Sequence, residues 1–146
     1  MRILLAYDSL SGNTKMVADE VEVELKKAQH DVTSFRVHPD AQYPLETDYD
    51  LFILGAWTAD LGRTPPDMKD FIAELGTKPP HVAIFGTGET QWSMAYFCGA
   101  VDRMAKYFDS QYPTLKIEQM PHTERDHTAI QDWVAQILSM REGVVK

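Results

Sequence analysis

A chain of 146 residues, 44% hydrophobic and 25% charged, has the make-up of one globular domain spanning residues 1–146. Its formal net charge of −8 argues against non-specific nucleic-acid binding, which demands a basic face; it suits steering toward basic protein surfaces, or solubility alone. The single cysteine, Cys98, excludes an internal disulfide and a cysteine-rich metal site, and no apolar run is long enough to span a bilayer, so the expected compartment is the cytoplasm.

In chain order, residues 2–7 (RILLAY) form an apolar run that ends at turn residues and predicts a buried strand. Residues 15–28 predict a helix. Met16, Val17, Val21, Leu25 and Ala28 recur at helical spacing, and Asn13 or Thr14 stands where a cap belongs. Residues 31–38 are β-branched and alternating, hence a second strand, followed by a loop over 39–49. The near-continuous apolarity of residues 50–56 predicts a third strand buried on both faces, as in a parallel sheet.

Thr64, Pro65, Pro66 and Asp67 then open a helix that runs to Leu75 and stops at Gly76. A fourth strand is expected over 81–86, a helix over 96–108, a fifth strand over 115–120 and a last helix over 123–140. Trp133 falls on the buried face of that helix, and the tail 141–146 is expected to fray. Five strands alternating with helical segments predict an α/β three-layer sandwich. Its sheet is parallel, five-stranded and ordered 2-1-3-4-5, with helices on both faces. Such sheets bind ligands beyond the carboxyl ends of the strands, where the order reverses between the first and third.

Ser9, Leu10, Ser11, Gly12, Asn13 and Thr14 occupy that position, joining a strand to a helix start. Gly12 permits close backbone approach, and a helix N-terminus offers unpaired N–H groups with a partial positive charge. These are the parts of a phosphate site, although the same residues also suit a polar turn that only caps the helix. The loop lacks the glycine-lysine-serine/threonine run of a triphosphate loop and the glycine-rich dinucleotide fingerprint. His122 and His127, with Glu124 and Asp126 between them, read as a polar helix start rather than a metal site. Cys98 reads as a buried small hydrophobe.

Tyr7 to Thr14 (YDSLSGNT) resembles the phosphate loop of flavodoxins. Gly86-Thr87-Gly88-Glu89 and Tyr96 to Asp102 (YFCGAVD) resemble the segment after the fourth strand of that family. The similarity spans the chain and is to the short-chain type. It implies a flavodoxin-like fold and a low-potential one-electron carrier holding flavin mononucleotide (FMN) without a covalent bond, rather than a substrate-converting enzyme. Its implied partners are redox proteins: a basic-faced reductase as donor and an oxidoreductase as acceptor, met by a monomer. By the same resemblance, Ser9, Ser11, Asn13 and Thr14 bind the phosphate. Trp57, Thr58, Ala59, Asp60, Leu61 and Gly62 form the first flavin loop. Thr87, Gly88, Glu89 and Trp92, followed by Phe97 and Cys98, form the second, with Trp92 where a stacking tyrosine is usual.

The chain departs from the family pattern twice. Ala59 stands at the usual aromatic position of the first loop, which leaves Trp57, Leu61 or no aromatic to cover the inner flavin face. Two extra residues lie between Glu89 and Phe97, so Met94 or Tyr96 competes with Trp92. Gly62 is the residue expected to let a first-loop peptide turn over as the flavin changes redox state. Asp60, Glu89 and Asp126 are expected either to disfavour a fully reduced, anionic flavin or to be solvated surface acids. Two other redox functions stand as alternatives: a flavodoxin-like activator of ribonucleotide reductase, for which the altered first loop leaves room, and a small FMN-dependent quinone reductase, against which the short chain and small loops count.

Overall fold

The computed structural model describes residues 1–38, 48–88 and 97–143. Five strands, β1 (Arg2–Asp8), β2 (Asp31–Arg36), β3 (Leu51–Ala56), β4 (Val82–Gly88) and β5 (Leu115–Glu118), form one sheet in the order β2-β1-β3-β4-β5. Every pairing is parallel. Among the described residues four α-helices accompany it: α1 (Asn13–Lys27), α2 (Pro66–Leu75), α3 (Gly99–Phe108) and α4 (Glu124–Gly143).

The strand sequences explain why helices cover both faces. All six residues of β3 are buried, as are Ile3 to Ala6 of β1, and an alternating backbone sends such runs to both sides of the sheet. Ile3, Leu5, Ile53 and Phe85 pack with Val17, Val21 and Leu25 of α1 and with Ile130, Trp133 and Ile137 of α4. Leu4, Phe52, Leu54 and Ile84 pack with Met68 and Phe71 of α2 and with Val101 and Met104 of α3. Trp133 is a core residue. Its ring meets Phe85 edge-on at 6.0 Å between centroids, and its Nε1–H donates to the Pro113 carbonyl at 2.7 Å.

Several boundaries differ from the sequence expectation, each for a local reason. α1 starts at Asn13 because Gly12, at φ 99°, turns the chain directly into the helix, and neither Asn13 nor Thr14 caps it. Ser9 does that work: its Oγ accepts the N–H groups of Gly12 and Lys15 at 3.1 and 3.2 Å. β2 stops at Arg36, although the Val37 N–H still reaches the Tyr7 carbonyl at 2.8 Å. β4 runs two residues further than expected, since Thr87 and Gly88 pair with Ile117 and Glu118. β5 is cut short at Glu118 by Gln119, whose φ of 59° leaves the strand region. α3 begins at Gly99 rather than 96, because Cys98 at φ 50° cannot continue a helix backward.

α4 continues to Gly143, so residues 141–143 are helical. The Arg141 Nε–H donates to the Asp50 carbonyl at 2.7 Å and ties that end to the sheet. The expected loop over 39–49 falls mostly outside the described residues.

Gly55 is fixed by packing. A Cβ there would stand 2.0 Å from the Phe85 ring, which Trp133 also meets edge-on. Gly55→Ala should therefore destabilise the fold by about 1–3 kcal/mol in urea unfolding, and adding Phe85→Leu should recover part of that loss.

α1 and α4 are also joined by His127, whose Nδ1 lies 2.7 Å from Glu20 Oε1. This hydrogen bond holds the imidazole pKa above its ordinary value, with further support from Asp126 and Glu124. A raised folded-state value stabilises fully below the unfolded value, about 6.5, and is lost as pH rises through the raised one. The melting-temperature advantage of the wild type over His127→Gln should be full below the unfolded value and shrink as pH rises through the raised one.

Candidate functional site

The strand order reverses between β1 and β3, and the loops leaving β1 and β3 and the end of β4 meet there. Ser9 to Gly12 form the first. Ser9 is buried, and its Oγ accepts the Gly12 and Lys15 N–H groups, so it shapes the loop from within and keeps its O–H to donate. Leu10 is 69% exposed at the tip, Ser11 is exposed and Asn13 is half-buried. Nothing lies within 4 Å of a Cβ placed on Gly12, so its role is conformational and the space over it is open.

The N–H groups of Asn13 and Thr14, in the first turn of α1, meet no acceptor among the described residues. Thr14 is buried. Its Oγ1 shares a hydrogen bond of 2.8 Å with Thr87 Oγ1, tying the start of α1 to the end of β4.

Two residues missed in the sequence complete this loop. Arg36 is brought alongside by the pairing of β2 with β1, opposite Tyr7, and its guanidinium donates to the Ser9 carbonyl. Asp8, the last residue of β1, is only 5% exposed. Its Oδ1 accepts the Trp57 Nε1–H at 3.1 Å, while its Oδ2 is buried with no hydrogen-bond partner. Burial holds its carboxyl above the usual carboxylate range, and Asp67 adds repulsion. The Trp57 bond, the Met68 N–H and Arg36 favour the charged form. The Met68 N–H thus acts on the carboxyl from nearby, outside hydrogen-bonding geometry. The signals for both were present: Asp8 interrupts an apolar run, and Arg36 is a cation within the strand expected beside it.

The second loop follows β3. Trp57 is half-buried and held twice by Asp8, through its ring and through its N–H to the Asp8 carbonyl at 3.3 Å. Thr58 Oγ1 donates to the Thr87 carbonyl at 3.2 Å. A tight turn over Asp60–Gly62 then reverses the chain. The Ala59 N–H reaches the Arg63 carbonyl at 2.9 Å, and the Gly62 N–H reaches the Ala59 carbonyl at 3.1 Å.

Leu61 sits at the outer end of this turn, 55% exposed at φ 61°, a conformation costly for a branched residue. Gly62, expected to be free to turn over, is held instead. The Arg103 Nε–H donates to its carbonyl at 2.9 Å, and Gly99 packs so closely that a Cβ would stand 2.6 Å from that oxygen. Leu61, Lys78, Asp102, Arg103, Lys106 and Tyr107 line an open groove beside the turn, three cations against one carboxylate.

At the third loop, Thr87 is buried and bonded to both Thr14 and Thr58. Thr87 and Gly88 are strand residues here rather than loop residues. A Cβ on Gly88 would come within 2.8 Å of the Cys98 nitrogen and 3.3 Å of the Phe97 ring, so the returning chain lies directly on the strand end. Cys98 is buried, and burial pushes its thiol up to about 12, which leaves it inert. Glu89, Trp92, Met94 and Tyr96 lie outside the described residues. Asp126 belongs elsewhere: it accepts the His122 N–H at 3.3 Å while its own N–H donates to Thr123 Oγ1 at 3.1 Å, closing a cap at the start of α4.

Residues 4–117 match the family model described as Flavodoxin domain. The chain is 34% identical over 137 residues to "Probable flavodoxin 2" of Bacillus subtilis, covering 88% of this chain and 89% of that one. It is 27% identical to the flavodoxin of Nitratidesulfovibrio vulgaris, covering 94% and 97%. The crystal structure of oxidised Flavodoxin 2 from Bacillus cereus superposes with a TM-score of 0.81 at 29% identity, over 96% of this chain and 99% of that one. With the strand order, the loop geometry and these likenesses in agreement, the chain belongs to the flavodoxin family, the FMN-binding electron carriers that work with redox partner proteins.

Proposed function

We propose that residues 9–14 hold the phosphate of FMN and that the loops after β3 and β4 hold its ring, in a carrier that passes electrons singly between redox proteins. The observation that carries this reading is the open cradle over Gly12. Two N–H groups of the α1 start face it without acceptors, and the guanidinium of Arg36 stands beside it. Backbone donors at a helix N-terminus and one nearby cation suit a phosphate monoester without a lysine cluster.

In this reading Ser11 and Asn13 add side-chain bonds, while Ser9 and Thr14 set the shape of the loop. Trp57, Thr58, Ala59, Asp60, Leu61 and Gly62 form one wall of the ring site, with Leu61 as its exposed apolar edge. Thr87, Gly88, Phe97 and Cys98, together with Glu89 and Trp92, form the other. Bound FMN supplies the redox chemistry; the protein orients it and excludes water. The net charge of −8 supports a basic-faced reductase as donor. The reading places the carrier in the cytoplasm as a monomer.

Purified protein mixed with FMN should quench flavin fluorescence, and anaerobic redox titration should resolve two separate one-electron steps. A single two-electron step would replace the carrier with a reductase reading, and absence of FMN binding would remove the function altogether. Gly12→Ala, forced to φ near 99°, should weaken FMN by about tenfold through lost charge-assisted bonds. Its affinity for riboflavin, which lacks the phosphate, should stay unchanged when both are measured by the same quenching assay.

A further inference from the structure

Asp8 is out of place for an anion site. It directly precedes Ser9, it is 95% buried by its residual exposure of 5%, and one of its two carboxyl oxygens has no partner. Its carboxyl lies within electrostatic reach of Arg36, whose guanidinium bonds the Ser9 carbonyl, so a phosphate drawn to residues 9–14 would bring a second anion to the same cation. A phosphate monoester carries close to two negative charges near neutral pH; of the two cations at the loop, Arg36 bonds the Ser9 carbonyl and Lys15 is paired with Asp19.

We propose that Asp8 determines how much negative charge the phosphate loop accepts: its carboxyl takes a proton from solvent as the phosphate enters. The inference rests on FMN being the cofactor.

The surroundings support this. From α2, the Asp67 carboxylate repels the Asp8 charge while the Met68 N–H favours it. From β2, Arg36 favours it too, but that guanidinium is already bonded to the Ser9 carbonyl. From β3, the Trp57 Nε1–H holds Oδ1 alone. Oδ2 is therefore the atom left to carry the proton. Burial already holds the carboxyl above the usual carboxylate range, and an added anion pushes it further the same way. Between the free-state and the bound-state values, binding takes up a proton, so FMN affinity weakens as pH rises. Above the bound-state value the weakening levels off.

The test is the dissociation constant of FMN for wild type and Asp8→Asn by flavin fluorescence quenching, from about pH 5 to pH 8.5, with riboflavin in parallel. Asparagine keeps an acceptor for Trp57 and removes the charge. The wild-type to variant ratio of FMN dissociation constants should climb with pH to about tenfold, the effect of a one-unit shift. The phosphate's own ionisation is common to both proteins and cancels in that ratio. For riboflavin the ratio should stay flat. Trp57→Phe, which removes the indole donor and keeps the charge, should retain or steepen the pH dependence.

A flat FMN ratio, or the same climb with riboflavin, would overturn the role of Asp8 while leaving FMN as the cofactor. Failure of the wild type to bind FMN at any pH would overturn both.

Discussion

The complete burial of β1 and β3 as neighbouring parallel strands is the constraint from which the rest of the molecule follows. Strands buried on both faces need a helical layer on each side. Right-handed connections then send α1 to one face and α2 to the other, because the chain reverses its direction of travel across the sheet between these two strands. That reversal opens a crevice beyond their carboxyl ends. The loop after β1 and the loop after β3 must both leave into it. The site is therefore a by-product of how the most apolar segments of the chain hide from water.

What organises the crevice is a small set of polar cross-links rather than further apolar packing. Thr87 stands at the centre, its hydroxyl on Thr14 and its carbonyl on Thr58. Asp8 holds Trp57, and Arg103 holds Gly62. Each link joins elements far apart in sequence, so the loops after β1 and β3 are braced against each other and against the end of β4. A bond of this kind contributes only about 1 kcal/mol net. Its greater effect is geometric, because loops without it would lose the positions that a cofactor needs.

The fold was legible because its signals are local and periodic. The apolar run ending at Ala56 could only be a doubly buried strand, and the helical spacing of Val17, Val21 and Leu25 could only face a core. The strand order followed from the alternation of elements. The site was legible in outline from SLSGNT, but its inner wiring was not. Ser9 reads as a phosphate ligand in sequence, and nothing in the sequence shows that its Oγ also braces its own loop. Gly62 reads as a hinge and proves to be clamped, because Arg103 and Gly99 reach it from a helix about forty residues further on. Such partners are set by tertiary packing, which no local pattern encodes. Boundaries shifted for a related reason: the left-handed residues Cys98 and Gln119 end elements where propensity alone would continue them.

The placement of Cys98 turns the only thiol of the chain into a built-in clock. It is sealed beneath the chain returning over Gly88, and its high proton affinity leaves almost no thiolate while it stays there. A thiol reagent in solution can therefore react only during excursions that lift the segment around Phe97 off the end of β4. At low reagent concentration the labelling rate reads the population of that opened form, and at high concentration it reads the opening rate itself. The chain thus records, through one covalent event per molecule, how often the crevice side of the sheet comes apart.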